Sequence, residues 1–246
     1  MMMMMMMMIA DSADIIEDSA VAADYDAIGN SYCDDQLYDE ATEYYKKALK
    51  IRQNLFGMAH SDVANSYFNL GISYDNNENY EEAIECDEKA LKIRLKLFGI
   101  AHSDVASSYF NLGISYDNNE NYNKAIECHE KALQIRLKLF GATNDDVARS
   151  YDNLGLAYQN KELYPQAIKC HEMALKIRKE IFKDANEDIG RSCSYLGDIF
   201  QKIGETSTAC KYFQDTWKIY SIVWGEWDED VGYAKAKVRE LSGSTV

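Results

Sequence analysis

The stretch Ser66–Tyr80, SYFNLGISYDNNENY, returns letter for letter at Ser108–Tyr122, 42 positions later. The identity extends outward on both sides. HSDVANSYFNLGISYDNNENYEEAIECDEKALKIRLKLFGIA spans 60–101 and differs from 102–143 at seven of 42 positions. The same frame continues as NDDVARSYDNLGLAYQNKELYPQAIKCHEMALKIRKEIFKDA at 144–185 and, more loosely, at 186–227. Backwards it gives DSAVAADYDAIGNSYCDDQLYDEATEYYKKALKIRQNLFGMA at 18–59. Five units and a remnant, DEDVGYAKAKVRELSG, account for almost the whole chain of 246 residues. A fixed period of this length is the mark of an array whose units bury their apolar faces against one another.

Each unit reads as two helices. In the second unit the first helix is expected over about 62–76, with Ser61 or Asp62 capping its free N–H groups. Val63, Tyr67, Leu70, Gly71 and Tyr74 recur at steps of three and four, which gives one apolar face. The run Asn76–Asn79 breaks it, since Asn competes for backbone hydrogen bonds. The second helix is expected over about 80–98, burying Tyr80, Ala83, Ile84, Ala90, Leu91 and Leu97 and ending at Gly99. Pro165, the one proline of the chain, stands where this helix starts in the fourth unit, and there its missing N–H costs nothing. Gly71, Ala83 and Ala90 are small enough for close helix approach. The fold class is therefore all-α, a right-handed superhelical solenoid of helix-turn-helix repeats. The domains expected are a disordered Met-rich, acidic stretch at 1–17 and one repeat domain at 18–243, closed by a capping helix within 228–243.

Net charge is −15, which disfavours DNA, RNA and anionic membranes as partners. No Lys or Arg precedes Lys46, whereas eleven Asp or Glu do. The opening MMMMMMMMIA is too short to span a membrane and lacks a basic flank, so cytoplasmic residence is expected. Cys86, Cys128 and Cys170 occupy one equivalent site of successive units, and with Cys33, Cys193 and Cys210 they read as free thiols of a reducing compartment.

The pattern L-G-x-x-Y…A…A-L, here Leu70, Gly71, Tyr74, Ala83 and Ala90, resembles the tetratricopeptide repeat. The 42-residue length, the HSDVA opening and the ALKIR…FG ending are similar to the kinesin light chain type. The family's usual His-Pro is His60-Ser61 and His102-Ser103 here, and no heptads precede the first unit. The resemblance implies a concave groove lined by the first helices, in which an Asn before the Leu-Gly pair bonds the backbone of an extended peptide. The matching residues are Asn69, Asn111 and Asn153, while Ala27 and Tyr195 stand there in the outer units. An amide offers both a donor and an acceptor to a peptide backbone. On the same face lie Asn65, Phe68, Ile72, Asp75 and Asn76, repeated as Ser107, Phe110, Ile114, Asp117 and Asn118, with Arg149 and Arg191 in later units. The two Phe are candidate anchors for ligand side chains; packing between adjacent units is the alternative. A peptide with apolar residues, and basic ones near Asp75 and Asp117, is the ligand expected.

Catalytic and metal signatures do not assemble. Cys128-His129 and Cys170-His171 are adjacent pairs whose side chains diverge on a helix, with no second chelating pair. HEKAL and HEMAL lack the second His of a zinc protease motif, and no phosphate-binding loop occurs. The expectation is a non-enzymatic adaptor or scaffold for protein binding, without cofactor or metal. The alternatives are a kinesin light chain-like cargo adaptor of a motor complex and a peptide-responsive signalling regulator.

Overall fold

The computed structural model describes the backbone of residues 2–183 and 185–243, and side chains from Asp18 onward. Among the described residues there are eleven α-helices and no strand. They fall into two compact units, Met1–Asn121 and Tyr122–Val246.

The N-terminal unit holds α1 (Met2–Asp34), α2 (Tyr38–Phe56), α3 (Ser61–Asn76), α4 (Tyr80–Phe98) and α5 (Ser103–Asn118). Each helix packs on the next, and α3 also touches α5. The helix α1 runs through the stretch expected to be disordered at 1–17, whose side chains lie outside the described residues. The C-terminal unit holds α6 (Tyr122–Phe140), α7 (Asp145–Asn160), α8 (Tyr164–Ile181), α9 (Glu187–Lys202), α10 (Thr206–Val223) and α11 (Glu229–Ser242), again packed in chain order. Both units are stacks of helix-turn-helix pairs, the all-α solenoid that the period predicts.

The core follows the periodic positions. In the N-terminal unit Ala41, Tyr45, Val63, Tyr67, Leu70, Cys86 and Ala90 form one buried cluster. In the C-terminal unit Val147, Ala148, Leu154, Cys170, Ala174 and Ile177 do the same, and a further cluster forms around Leu175, Ile189, Cys193 and Leu196. Leu97, expected inside, is 41% exposed.

Helix ends differ in detail from expectation. The cap of α3 is not Ser61 or Asp62 but His60, whose Nδ1 accepts from the Asp62 N–H at 3.2 Å. His102, Asn144, Asn186 and Asp228 cap α5, α7, α9 and α11 in the same way. The inter-helix turn places Glu78, rather than a neighbouring Asn, in the left-handed region at φ 60°. The equivalent residues Gln36, Glu120 and Glu162 share this conformation.

Polar ties reinforce the stacking. Arg52 donates to Ser66 Oγ at 2.7 Å, Arg94 to Ser108 at 2.8 Å, Arg136 to Ser150 at 2.8 Å and Arg178 to Ser192 at 2.6 Å. Each bond joins a second helix to the first helix of the following pair. These Arg-Ser pairs were not anticipated from the sequence, although both residue types recur with the 42-residue period. Arg94, Arg136 and Arg178 are buried, and a buried guanidinium left without partners would carry a large desolvation cost. Those bonds therefore fix the register of successive pairs as well as holding them together.

Candidate functional site

The face of interest in the N-terminal unit is carried by α3 and α5. Asn69, Ile72 and Asn76 follow one another at steps of three and four on α3, as Asn111, Ile114 and Asn118 do on α5, so each trio shares a helix face. Ile72 is 38% exposed, Ile114 is half-buried, and both terminal Asn are exposed. The amides of Asn69 and Asn111 are half-buried and have no hydrogen-bond partner among the described residues. An amide partly removed from water and left unpaired is ready to accept and donate to an added backbone.

Other candidates are already engaged within the fold. Asn65 Oδ1 accepts from Arg94 at 2.9 Å, and the Arg94 guanidinium lies 4.5 Å from the centre of the Phe68 ring. Asn118 Nδ2 donates to Asp75 Oδ2 at 3.0 Å, a tie between α5 and α3. Phe110 is 6% exposed and offers almost no area to a ligand, whereas Phe68 is half-buried. The packing alternative thus describes Phe110 better than the anchor reading does.

In the C-terminal unit Asn153 bonds within its own helix, Nδ2 donating to the Arg149 carbonyl at 3.0 Å. Arg149 lies 3.7 Å from Asp146, and Arg191 pairs with Glu187 and Asp188. Both arginines turn toward carboxylates three or four residues earlier on the same helix.

Charge is sharply divided in the N-terminal unit. All eight of its Lys and Arg lie on α2 and α4, and none lies on α1, α3 or α5. Asp75 sits at the end of α3, where burial pushes its carboxyl above the usual range and bonds from Asn118 and Ser115 oppose that shift. The first helices therefore present acids and amides without a cation.

Beneath this face each pair buries a polar or aromatic side chain against the Leu-Gly glycine. A Cβ at Gly71 would stand 2.6 Å from Asp87 Oδ1, and one at Gly155 would stand 2.6 Å from His171 Nε2. Asp87 is 1% exposed, accepts from Ser115 Oγ at 3.1 Å, and is pushed by burial up to about 8. His171, fully buried, lies with Nδ1 2.9 Å from Asp152 Oδ1, while the other oxygen of Asp152 receives Arg178. Ser192 approaches Asp152 rather than His171, so these three side chains do not form a nucleophile-base pair.

No group of three or more His, Cys, Asp or Glu able to hold a metal occurs among the described residues. The cysteines are free thiols; burial raises Cys86 to about 11 and Cys170 and Cys193 to about 12, so they stay protonated and unreactive near neutrality. No described helix is long and apolar enough to cross a membrane.

Comparison with solved structures gives similar folds. A Podosopora anserina protein described as a kinesin light chain, with nearly identical TPR-like repeats, matches with a TM-score of 0.73 at 20% identity, over 84% of this chain and 98% of its own. BtubC (BKLC) from P. vanneervenii matches with a TM-score of 0.76 at 23% identity, over 87% and 85%. The apo form of RapI matches with a TM-score of 0.70 at 19% identity, over 89% of this chain and 57% of its own. At these identities the likeness is one of fold. No curated protein sequence matches. A profile of the tetratricopeptide repeat matches residues 19–96, 76–138, 104–180 and 146–221. With the period, the paired helices and the glycine contacts in agreement, the chain belongs to the tetratricopeptide repeat family.

Proposed function

We propose that this protein is a non-enzymatic adaptor that holds an extended peptide of a partner protein along the first helices of its N-terminal unit. Repeats of this family mediate protein-protein interactions in general, which supports the scaffold role. The observation that carries the finer reading is the pair of half-buried, internally unpartnered amides, Asn69 and Asn111, at one position of two adjacent helices. Ile72 and Ile114 supply apolar contact beside them, and Asn76 extends the polar edge. Because the first helices carry acids and no Lys or Arg, the ligand is a peptide with apolar and basic residues. Asn153, Arg149 and Arg191 occupy the corresponding face of the C-terminal unit and are assigned a similar role there. Cytoplasmic residence fits a chain with six free thiols.

Selection of random peptides on the purified protein tests this, with the Asn69→Ala, Asn111→Ala variant as counter-screen. Each lost hydrogen bond is worth about 0.5–1.5 kcal/mol, so the variant should bind the selected peptide about 5- to 150-fold more weakly. Equal binding by a folded variant would overturn the assignment. The likeness to the Podosopora anserina structures described as a kinesin light chain favours a second reading, a cargo adaptor of a motor complex. Co-purification of a motor heavy chain with the tagged protein is its expected signature.

A further inference from the structure

Elsewhere in the N-terminal unit, a cleft of about 300 Å³ opens between the α2–α3 loop, α3 and α4. Met58 and Ala59 of the loop, Tyr67 of α3 and Ile93 of α4 form an apolar floor and wall. The rim is Lys89, Lys92 and Lys96, all on α4. Lys89 is engaged by Glu85 at 3.3 Å and lies 5.6 Å from the centre of the Tyr67 ring. No carboxylate lies within ion-pair distance of Lys92 or Lys96 among the described residues. Lys92 and Lys96 stand one helical turn apart on α4, so their ammonium groups can converge on one anion. Met58 is 60% exposed at the mouth, leaving apolar surface that an occupant would cover.

The arrangement is peculiar to this repeat. The positions of Lys89, Lys92 and Lys96 are Lys47, Lys50 and Asn54 in the first unit, Lys131, Gln134 and Lys138 in the third, and Met173, Lys176 and Glu180 in the fourth. Lys92 to Gln134 is one of the few differences between two nearly identical repeats, and it removes one of the two ammonium groups left without an acid.

We propose that this cleft binds a small amphipathic monocarboxylate, with an aliphatic or aromatic tail against Met58, Tyr67 and Ile93 and the carboxylate between Lys92 and Lys96. The volume lies at the lower end of small-molecule sites, and an apolar floor with a few convergent charges is how such sites fix orientation. Ammonium-carboxylate contacts supply the selectivity for an acid over a neutral molecule of the same tail. This site is separate from the α3–α5 face, and it stands or falls without the peptide reading.

Calorimetric titration of the full chain with decanoate, and with decanol as the uncharged control, tests it. Decanoate should bind saturably at one per chain, and decanol at least tenfold more weakly. Lys92→Glu, Lys96→Glu should weaken decanoate binding at least tenfold while leaving the circular-dichroism melt unchanged, since both side chains are exposed. Met58→Glu, which places a carboxylate at the mouth, should act in the same direction. Absence of saturable decanoate binding, equal affinity for decanol, or undiminished binding by the folded Lys double variant would each overturn the proposal. So would saturable binding of an acidic, leucine-containing peptide with none of decanoate.

Discussion

The second and fourth repeats solve one packing problem with their charges in different places. In both, a helix glycine faces a buried polar side chain and a buried arginine ties the pair to the next one. In the second repeat the acid is Asp87 on α4, and Arg94 lies over Phe68. In the fourth the acid has moved to Asp152 on α7, at the position of Phe68, and His171 takes the place of Asp87. Asp152 then binds both His171 and Arg178. The arginine and the serine it meets are constant; the site of its counter-charge is not. The acid is not a fixed part of the stack: the third repeat carries Phe110 and His129 at these two positions and keeps the tie from Arg136 to Ser150.

Removing the acid of the fourth repeat should have the largest effect. Asp152→Ala leaves a 1%-exposed arginine and a fully buried histidine without their shared partner. A loss of about 3–5 kcal/mol is expected in urea unfolding. A loss below about 1 kcal/mol would mean that Ser192 and Asp145 suffice for Arg178.

The comparison can be sharpened by converting one repeat into the other. Phe68→Asp alone crowds a second acid beside Asp87 and should destabilise the N-terminal unit, whereas Asp87→His alone gives the pairing that the third repeat carries as Phe110 and His129 and should cost less. The double variant rebuilds the fourth repeat's arrangement and should recover, with a coupling of about 1–3 kcal/mol in a double-mutant cycle. Additive losses would show that the two arrangements depend on more than these positions.

The mildest test is the pH profile, where the two buried residue types act in opposite directions. Burial raises Asp87 to about 8 in the folded state, well above its unfolded range, so the folded chain holds a proton that the unfolded chain releases. Its contribution to stability is present at about pH 4 and is lost as pH rises toward 8. His129 occupies the same position in the third repeat, and burial, helped by Arg136, lowers it to about 4. Its contribution is present above about pH 6.5 and is lost as pH falls through 4. Melting temperatures across pH 4–8 should show Asp87→Asn removing the decline on the alkaline side. His129→Gln should remove the one on the acid side. An unchanged profile in Asp87→Asn would mean that Asp87 is ionised throughout.

Much of this molecule is legible in its letters. Two nearly identical 42-residue segments cannot fold differently, and their apolar residues recur at helical spacing, so helix pairs follow from local chemistry alone. The bounds of α3 and α4 were readable to within a residue. The candidate face was readable too, because residues three and four apart share a side of a helix whatever it packs against. Which of those side chains are free was not. Asn69, Asn118 and Asn65 look alike as letters, yet Asn118 reaches Asp75 and Asn65 reaches Arg94 from other helices. Phe68 and Phe110 are equivalent by period and differ in burial.

The sequence by itself determined the number and type of helices, the period of the core and the lack of cations on α1, α3 and α5, since these depend on residues close in the chain. Only the tertiary structure decided which groups each buried arginine meets, which amides keep their hydrogen bonds for a partner, and that three lysines of α4 surround an apolar cleft. Those outcomes depend on groups brought together from different helices, and the repeat spacing does not say which of them will meet.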